Sequence, residues 1–170
     1  ASTSDFSAAA VESTVQAAYD IARFTAEDPM AGLPDAQDIE TAPRELDLFH
    51  PWSLSSEEAT AIAMRCEDAA RKTSRRITNS DGASVSAQQS HFFSAHSNGF
   101  RGGYASSRHS ISVATIARLP GRNAEMQRDG WYSSMRASAE LAAPEVIGRY
   151  AAERALSRLG ARKMPTTECP

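Results

Sequence analysis

The sequence predicts an α/β fold of the α+β type, in which an antiparallel β-meander packs with amphipathic helices. Three observations carry that expectation. Apolar positions recur every three or four residues in three separate stretches, the period shifts to two between them, and turn residues punctuate the alternating runs.

The first helical pattern runs from about Ala8 to Ala26, with Val11, Val15, Ala18, Ala22 and Thr25 on one face and Ser7 as N-cap. Asp28-Pro29 is expected to end it, because the residue before proline is steered out of the α region. From Met30 to Trp52 no period persists, and Pro29, Pro34, Pro43 and Pro51 punctuate the segment. This stretch reads as a connector pinned to the body by Leu46, Leu48, Phe49 and Trp52.

A second helix begins with a stronger signal. Ser55 caps the first turn, Glu58 completes a reciprocal capping box, and Leu54 folds back toward Ala59. Ala59, Ile62, Ala63, Cys66 and Ala70 give a narrow apolar face whose small side chains permit close packing. The basic tail Arg71-Lys72-Thr73-Ser74-Arg75-Arg76 complements the negative end of the helix dipole.

Short strands are expected over Ala83 to Gln88 and His91 to Ser97, with a turn at Asn98-Gly99. The clearest strand is His109 to Leu119, in which His109, Ile111, Val113, Thr115, Ala117 and Leu119 share one face. Pro120-Gly121-Arg122-Asn123 turns the chain and Glu125 to Arg136 returns beside it, giving a meander of about four strands. The final helix starts at Pro144, a favoured first-turn residue, and packs through Ile147, Ala151, Ala155 and Leu159 before a Gly160 cap. The organisation expected is therefore 1–52 as helix and long connector, 53–163 as helix, meander and closing helix, and 164–170 as a connector. The absence of an initiator methionine, and the end at Pro170, fit a piece of a larger protein.

Alanine and serine are abundant and large core formers sparse, so the packed layers should be thin. Lysine and arginine number 18 against 21 acidic residues, a formal net charge of −3, which argues against a dedicated nucleic-acid binder. No apolar run approaches the length of a membrane span. Two cysteines, Cys66 and Cys169, fit reduced thiols in a cytoplasmic protein rather than a disulfide scaffold.

Few residues signal chemistry directly. His50, His91, His96 and His109 show no zinc-binding spacing, and no clustered cysteine pair accompanies them. Ser107, Ser110 and Asp129 near His109 name the members of a triad without its signature. Gly99-Phe100-Arg101-Gly102-Gly103-Tyr104 has the composition of a base-stacking loop, but its glycines serve tight turns and its aromatics serve packing equally well. The best polar set comprises Arg101, Arg108, Arg128 and Asp129, near a strand edge, where it would hold an acidic peptide or partner or satisfy itself.

Several stretches in fixed order point further. Ala22-Arg23-Phe24-Thr25-Ala26-Glu27-Asp28-Pro29, Asp47-Leu48-Phe49-His50-Pro51, Arg76-Ile77-Thr78-Asn79-Ser80-Asp81-Gly82, His96-Ser97-Asn98-Gly99-Phe100, Ser106-Ser107-Arg108-His109-Ser110 and Met126-Gln127-Arg128-Asp129 resemble the TldD/PmbA family, also called the modulator of DNA gyrase family. The resemblance covers nearly the whole chain, corresponds to the amino-terminal to middle region, and is nearer the PmbA (TldE) branch. It implies a cytoplasmic component of a zinc-dependent metalloprotease complex acting in peptide maturation or antitoxin turnover. The implied partners are a TldD-like protein and unfolded peptide, with homo-oligomers a further option. The family's catalytic branch carries a His-Glu-x-x-x-His zinc motif that this chain lacks. Residues 1–170 are thus expected to contribute no catalytic or metal-ligating residue, zinc belonging to a downstream region or a partner, and to act as scaffold or peptide guide. A nucleic-acid-associated regulatory module and a purely structural interaction domain are the alternatives.

Overall fold

The computed structural model describes residues 1–42, 44–122 and 124–168, which form two compact units, Ala1–Thr41 and Ala42–Pro170. In the first, α1 spans Ala8–Phe24, capped by the Ser7 hydroxyl, which accepts the Ala10 N–H at 3.3 Å. The helix stops before the expected Asp28-Pro29 break. Thr25 turns extended, and its N–H and hydroxyl both bond the Ile21 carbonyl. None of the helix is buried, and Val11, Val15, Tyr19, Ile21 and Phe24 are exposed. A single 3-10 turn at Ala36–Asp38 interrupts the segment that follows.

The second unit holds two helices and a three-stranded antiparallel sheet. The helices are α2 (Ser56–Thr73) and α3 (Pro144–Ser157), and the strands are β1 (Ile77–Ala95), β2 (Arg101–Arg118) and β3 (Met126–Met135), in the order β1-β2-β3. Both helices cover one face of the sheet, α2 over β1 and α3 over β2 and β3. The capping box forms as expected: Ser55 Oγ accepts the Glu58 N–H at 3.1 Å and Glu58 Oε2 accepts the Ser55 N–H at 2.9 Å. Pro144 opens α3, and Gly160 takes a φ of +73° beyond its end.

The meander has three strands, not about four. The two short strands expected over 83–97 are one continuous strand, β1, paired with β2 from Ile77↔Ala117 to Ala95↔Arg101. Gly102 and Gly103, read as turn residues, lie inside β2, and the turn itself occupies 96–100, where Gly99 has a φ of +96°. Asn123 of the second expected turn lies outside the described residues. Gly121 in that turn has a φ of +117°.

The alternation in β2 holds. His109, Ile111, Val113, Thr115 and Ala117 are buried toward the helices. Cys66, Ile111, Val113, Ile147 and Ala151 form one half of the core, and Ala70, Ile77, Ala117, Ala152 and Ala155 the other. This is the thin, alanine-rich packing that the composition implies. Thr115, fully buried, satisfies its hydroxyl between the carbonyls of Ala151 (3.2 Å) and Asp129 (3.3 Å), which ties β2 to α3.

Candidate functional site

Residues 44–52 form a strap along β2, held there by polar groups together with the partly buried Leu48, Phe49 and Trp52. Ser107 N–H donates to the Leu48 carbonyl at 3.0 Å, and Ser107 Oγ accepts the His50 N–H at 2.8 Å while donating to the Arg136 carbonyl at 2.9 Å. His109 Nε2 lies 2.8 Å from the His50 carbonyl, which only accepts, so that nitrogen carries the proton. Its Nδ1 is buried without a partner, and Trp52 packs edge-on at 5.4 Å. Leu46, expected as a pin, is instead exposed.

This arrangement accounts for Ser107 and His109 as structural clamps. Asp129 is not their third member. It pairs with Thr115, six residues farther along β2 from His109, which is roughly 20 Å of strand.

The four polar residues singled out in the sequence fall in three places. Arg101 opens β2 at its free end, and Arg108 is exposed opposite Gln88 in the register. Arg128 and Asp129 are neighbours in β3 but face opposite sides of the sheet. Arg128 pairs across the open face with Asp81. Asp129 faces α3, where Arg154 and Arg158 reach its carboxylate at 3.3 and 3.2 Å. Burial opposes ionisation of Asp129, but the Gly130 N–H, Arg158 and Arg154 together outweigh it and hold the carboxyl below its ordinary range. Arg154 also stacks over Trp131, its guanidinium carbon 5.2 Å from the ring centroid.

Asp81 is the member that the sequence reading missed. It reaches Arg128 because β1 shifts register between Ser80 and Gly82, where Gly82 takes a φ of +95° and donates its N–H to Ser80 Oγ at 2.9 Å. The same Ser80 hydroxyl donates to Glu67 on α2 at 2.7 Å; this bond, with help from Arg71, lowers the Glu67 pKa. A Ser-Asp-Gly sequence is the only local sign of the shift.

Two recesses flank these groups. On the open face, Asp81, Ser110, Ser112, Arg128, Gly130 and Tyr132 border a shallow depression of about 610 Å³. At the edge of β2, a cleft of about 640 Å³ separates strap residues Arg44 to Phe49 from Gly103, Tyr104 and Ala105.

Among the described residues, no three histidine, cysteine or acidic side chains converge as metal ligands. His96 Nε2 is taken up with Ser94, and His91 stacks on Phe49. These residues do not fit a zinc ion, and no step is assigned to one. No helix among the described residues is long and apolar enough to cross a membrane.

Residues 49–159 match the family described as the PmbA/TldA metallopeptidase central domain. Over its whole length the chain is 42% identical to the metalloprotease PmbA of Escherichia coli O157:H7, and 34% identical to a PmbA homolog of Haemophilus influenzae, in each case spanning 37% of the relative. The chain thus covers little more than a third of the curated relatives it matches. Its fold is shared with a solved Bacteroides thetaiotaomicron protein described as a modulator of DNA gyrase, at 24% identity and a TM-score of 0.81, over 96% of this chain and 37% of that one. A Thermotoga maritima protein of the same description aligns with a TM-score of 0.61 at 21% identity, over 91% of this chain and 33% of that one. By its match over the whole meander and the helices packed on it, the chain belongs to the PmbA/TldD metallopeptidase family, corresponding to its amino-terminal to middle region.

Proposed function

We propose that this chain is a noncatalytic scaffold and peptide-guiding part of a PmbA-like component of a cytoplasmic, zinc-dependent metalloprotease complex, paired with a TldD-like protein and acting in peptide maturation or antitoxin turnover. The observation that carries this reading is the family match over residues 49–159, in a unit whose polar groups are engaged with one another rather than gathered around a reacting atom. Ser107, His109 and Asp129 are each committed to fastening one element to another. Arg101 and Arg108 are exposed and have no ion-pair partner among the described residues, which leaves them for acidic groups of a peptide or partner. Arg128 serves the same purpose when it exchanges Asp81 for a ligand carboxylate.

The test is a co-purification of the chain with a TldD-like protein, followed by zinc-dependent peptide cleavage assays of each alone and of the two together. Cleavage is expected only when the TldD-like protein is present. Robust zinc-dependent turnover by the purified chain alone would refute the noncatalytic role, and failure to associate under any condition would refute the scaffold role.

A further inference from the structure

The positive charge of the second unit is gathered at one end. Three stretches of chain meet where Ile77 pairs with Ala117: the α2–β1 connection, the β2–β3 turn and the residues that follow α3. Arg118 N–H donates to the Arg76 carbonyl at 2.8 Å, Leu119 N–H to the Glu125 carbonyl at 3.0 Å, and Gly160 N–H to the Glu125 carboxylate at 3.1 Å. Leu156 and Leu159 pack beneath them against the Ala70, Ile77 and Ala117 half of the core.

These bonds bring Arg75, Arg76, Arg118, Arg122, Arg162 and Lys163 to the same end. None of the six forms an ion pair among the described residues, and all but the half-buried Arg118 are exposed. Glu125, the one acidic residue in the three stretches, is taken up by Gly160 and by the Gln127 amide at 2.7 Å. Arg118 donates to the Gly121 carbonyl at 3.3 Å, and its Nε is buried without an acceptor. The helix dipole does not account for this cluster. Arg71 and Lys72, in the last turn of α2, already serve it and pair with Glu67 and Asp68, whereas Arg75 and Arg76 lie beyond the helix. Arg162 and Lys163 likewise lie beyond α3. The formal net charge of −3 conceals the separation.

We infer that this end of the sheet binds the phosphate backbone of a nucleic-acid duplex without reading its sequence. Unpaired cations held together repel one another until a polyanion neutralises them, and guanidinium groups suit phosphate oxygens. A duplex carries one negative charge per roughly 1.7 Å of its axis, so cations spread over three stretches each meet a phosphate. No aromatic residue occurs in those stretches. They therefore lack both the rings that stack on unpaired bases and the aromatic centre that anchors a protein partner. Contacts made to phosphates from turns carry no base information. The inference is independent of the peptide-guiding reading above.

The test is fluorescence anisotropy of a labelled duplex of about 20 base pairs, titrated with the chain at several salt concentrations. Saturable binding is expected at about 50 mM salt, weakening at least about thirtyfold by 200 mM, with two unrelated sequences bound equally. Arg75→Gln with Arg76→Gln, and separately Arg122→Gln with Arg162→Gln, should each weaken binding at least about tenfold and lower the slope of log K against log salt by about 2. Arg136→Gln with Arg149→Gln, which removes two exposed arginines away from this end, should leave binding within about twofold. Absence of binding at low salt, or binding that salt does not weaken, would overturn the inference on the unaltered chain, whatever the variants do. Equal losses in all three double variants would also overturn it, by showing that net charge rather than this end is read. Displacement of the duplex by polyglutamate at a lower concentration of charge than unlabelled duplex requires would overturn it in favour of an acidic protein partner.

Discussion

The carbonyl oxygen of Cys66 stands 2.0 Å from the point where Gly148 would carry a Cβ. Helices α2 and α3 therefore meet backbone to backbone, with Ala70, Ala151, Ala152 and Ala155 filling the remainder of the seam. Gly148→Ala must push the helices apart, and it is expected to lower stability by about 1–3 kcal/mol, measurable as a reduced urea midpoint. An unchanged midpoint would show that the seam yields easily.

Asp129 anchors α3 to β3 through Arg154 and Arg158. Its folded pKa is depressed, so its contribution is complete above the ordinary aspartate range and disappears as pH falls through the folded value. Asp129→Asn should destabilise the chain by about 1–2 kcal/mol at neutral pH and much less at acid pH, where the wild-type carboxyl is itself protonated. Urea unfolding of both proteins across that range checks the convergence. A gap that stays constant with pH would mean that the charge is immaterial.

Replacing Ser107 by alanine removes the hydroxyl that receives His50 and holds Arg136. The strap should loosen at a cost of about 1–3 kcal/mol, because the groups it leaves are partly buried. In a Trp131→Phe background, red-shifted emission of Trp52 and faster proteolysis within residues 44–52 are the expected signs. Unaltered emission and protease resistance would place the hold of the strap elsewhere.

Burial, assisted by the carboxylates of Glu145 and Glu67, pushes the Cys66 thiol up to about 11. In a Cys169→Ser background, a disulfide reagent at neutral pH should leave the native chain almost unmodified and react fully once urea unfolds it. Prompt labelling of the native protein would mean that the α2–α3 seam opens readily.

Local features were legible in the sequence, and features made by pairing were not. The Ser55/Glu58 box and the alternating face from His109 to Ala117 depend on residues a few positions apart, and both form as their spacing implies. The polar run around Gln89-Ser90 reads as a break between strands, yet Ser107 and Ser106 lie across the ladder and carry the pairing through it. Gly102-Gly103 reads as a turn because nothing local reveals how closely β1 approaches. The polar set suffered in the same way. Arg128 and Asp129 are adjacent in sequence and separated by the sheet, and their true neighbours come from two other places in the chain, Asp81 from β1 and Arg154 and Arg158 from the end of α3. The family resemblance was legible because it lies in the order of many short motifs rather than in any single contact.

The β1–β2 hairpin outruns the layer that supports it. Its root is clamped under α2 and α3, where Ile77, Ile111, Val113 and Ala117 are buried, while past Ser107 the two strands rely on their own ladder and on Phe49 stacked against His91, with Phe92, Phe93 and Tyr104 open to solvent. A two-stranded ribbon without a covering layer is only marginally stable in water. The projecting half is thus a compliant lever on a rigid fulcrum. Strain applied at its aromatic tip would be absorbed by twisting the ribbon before it reached the core, so the tip can adjust to a bound surface while the rest of the unit keeps its shape.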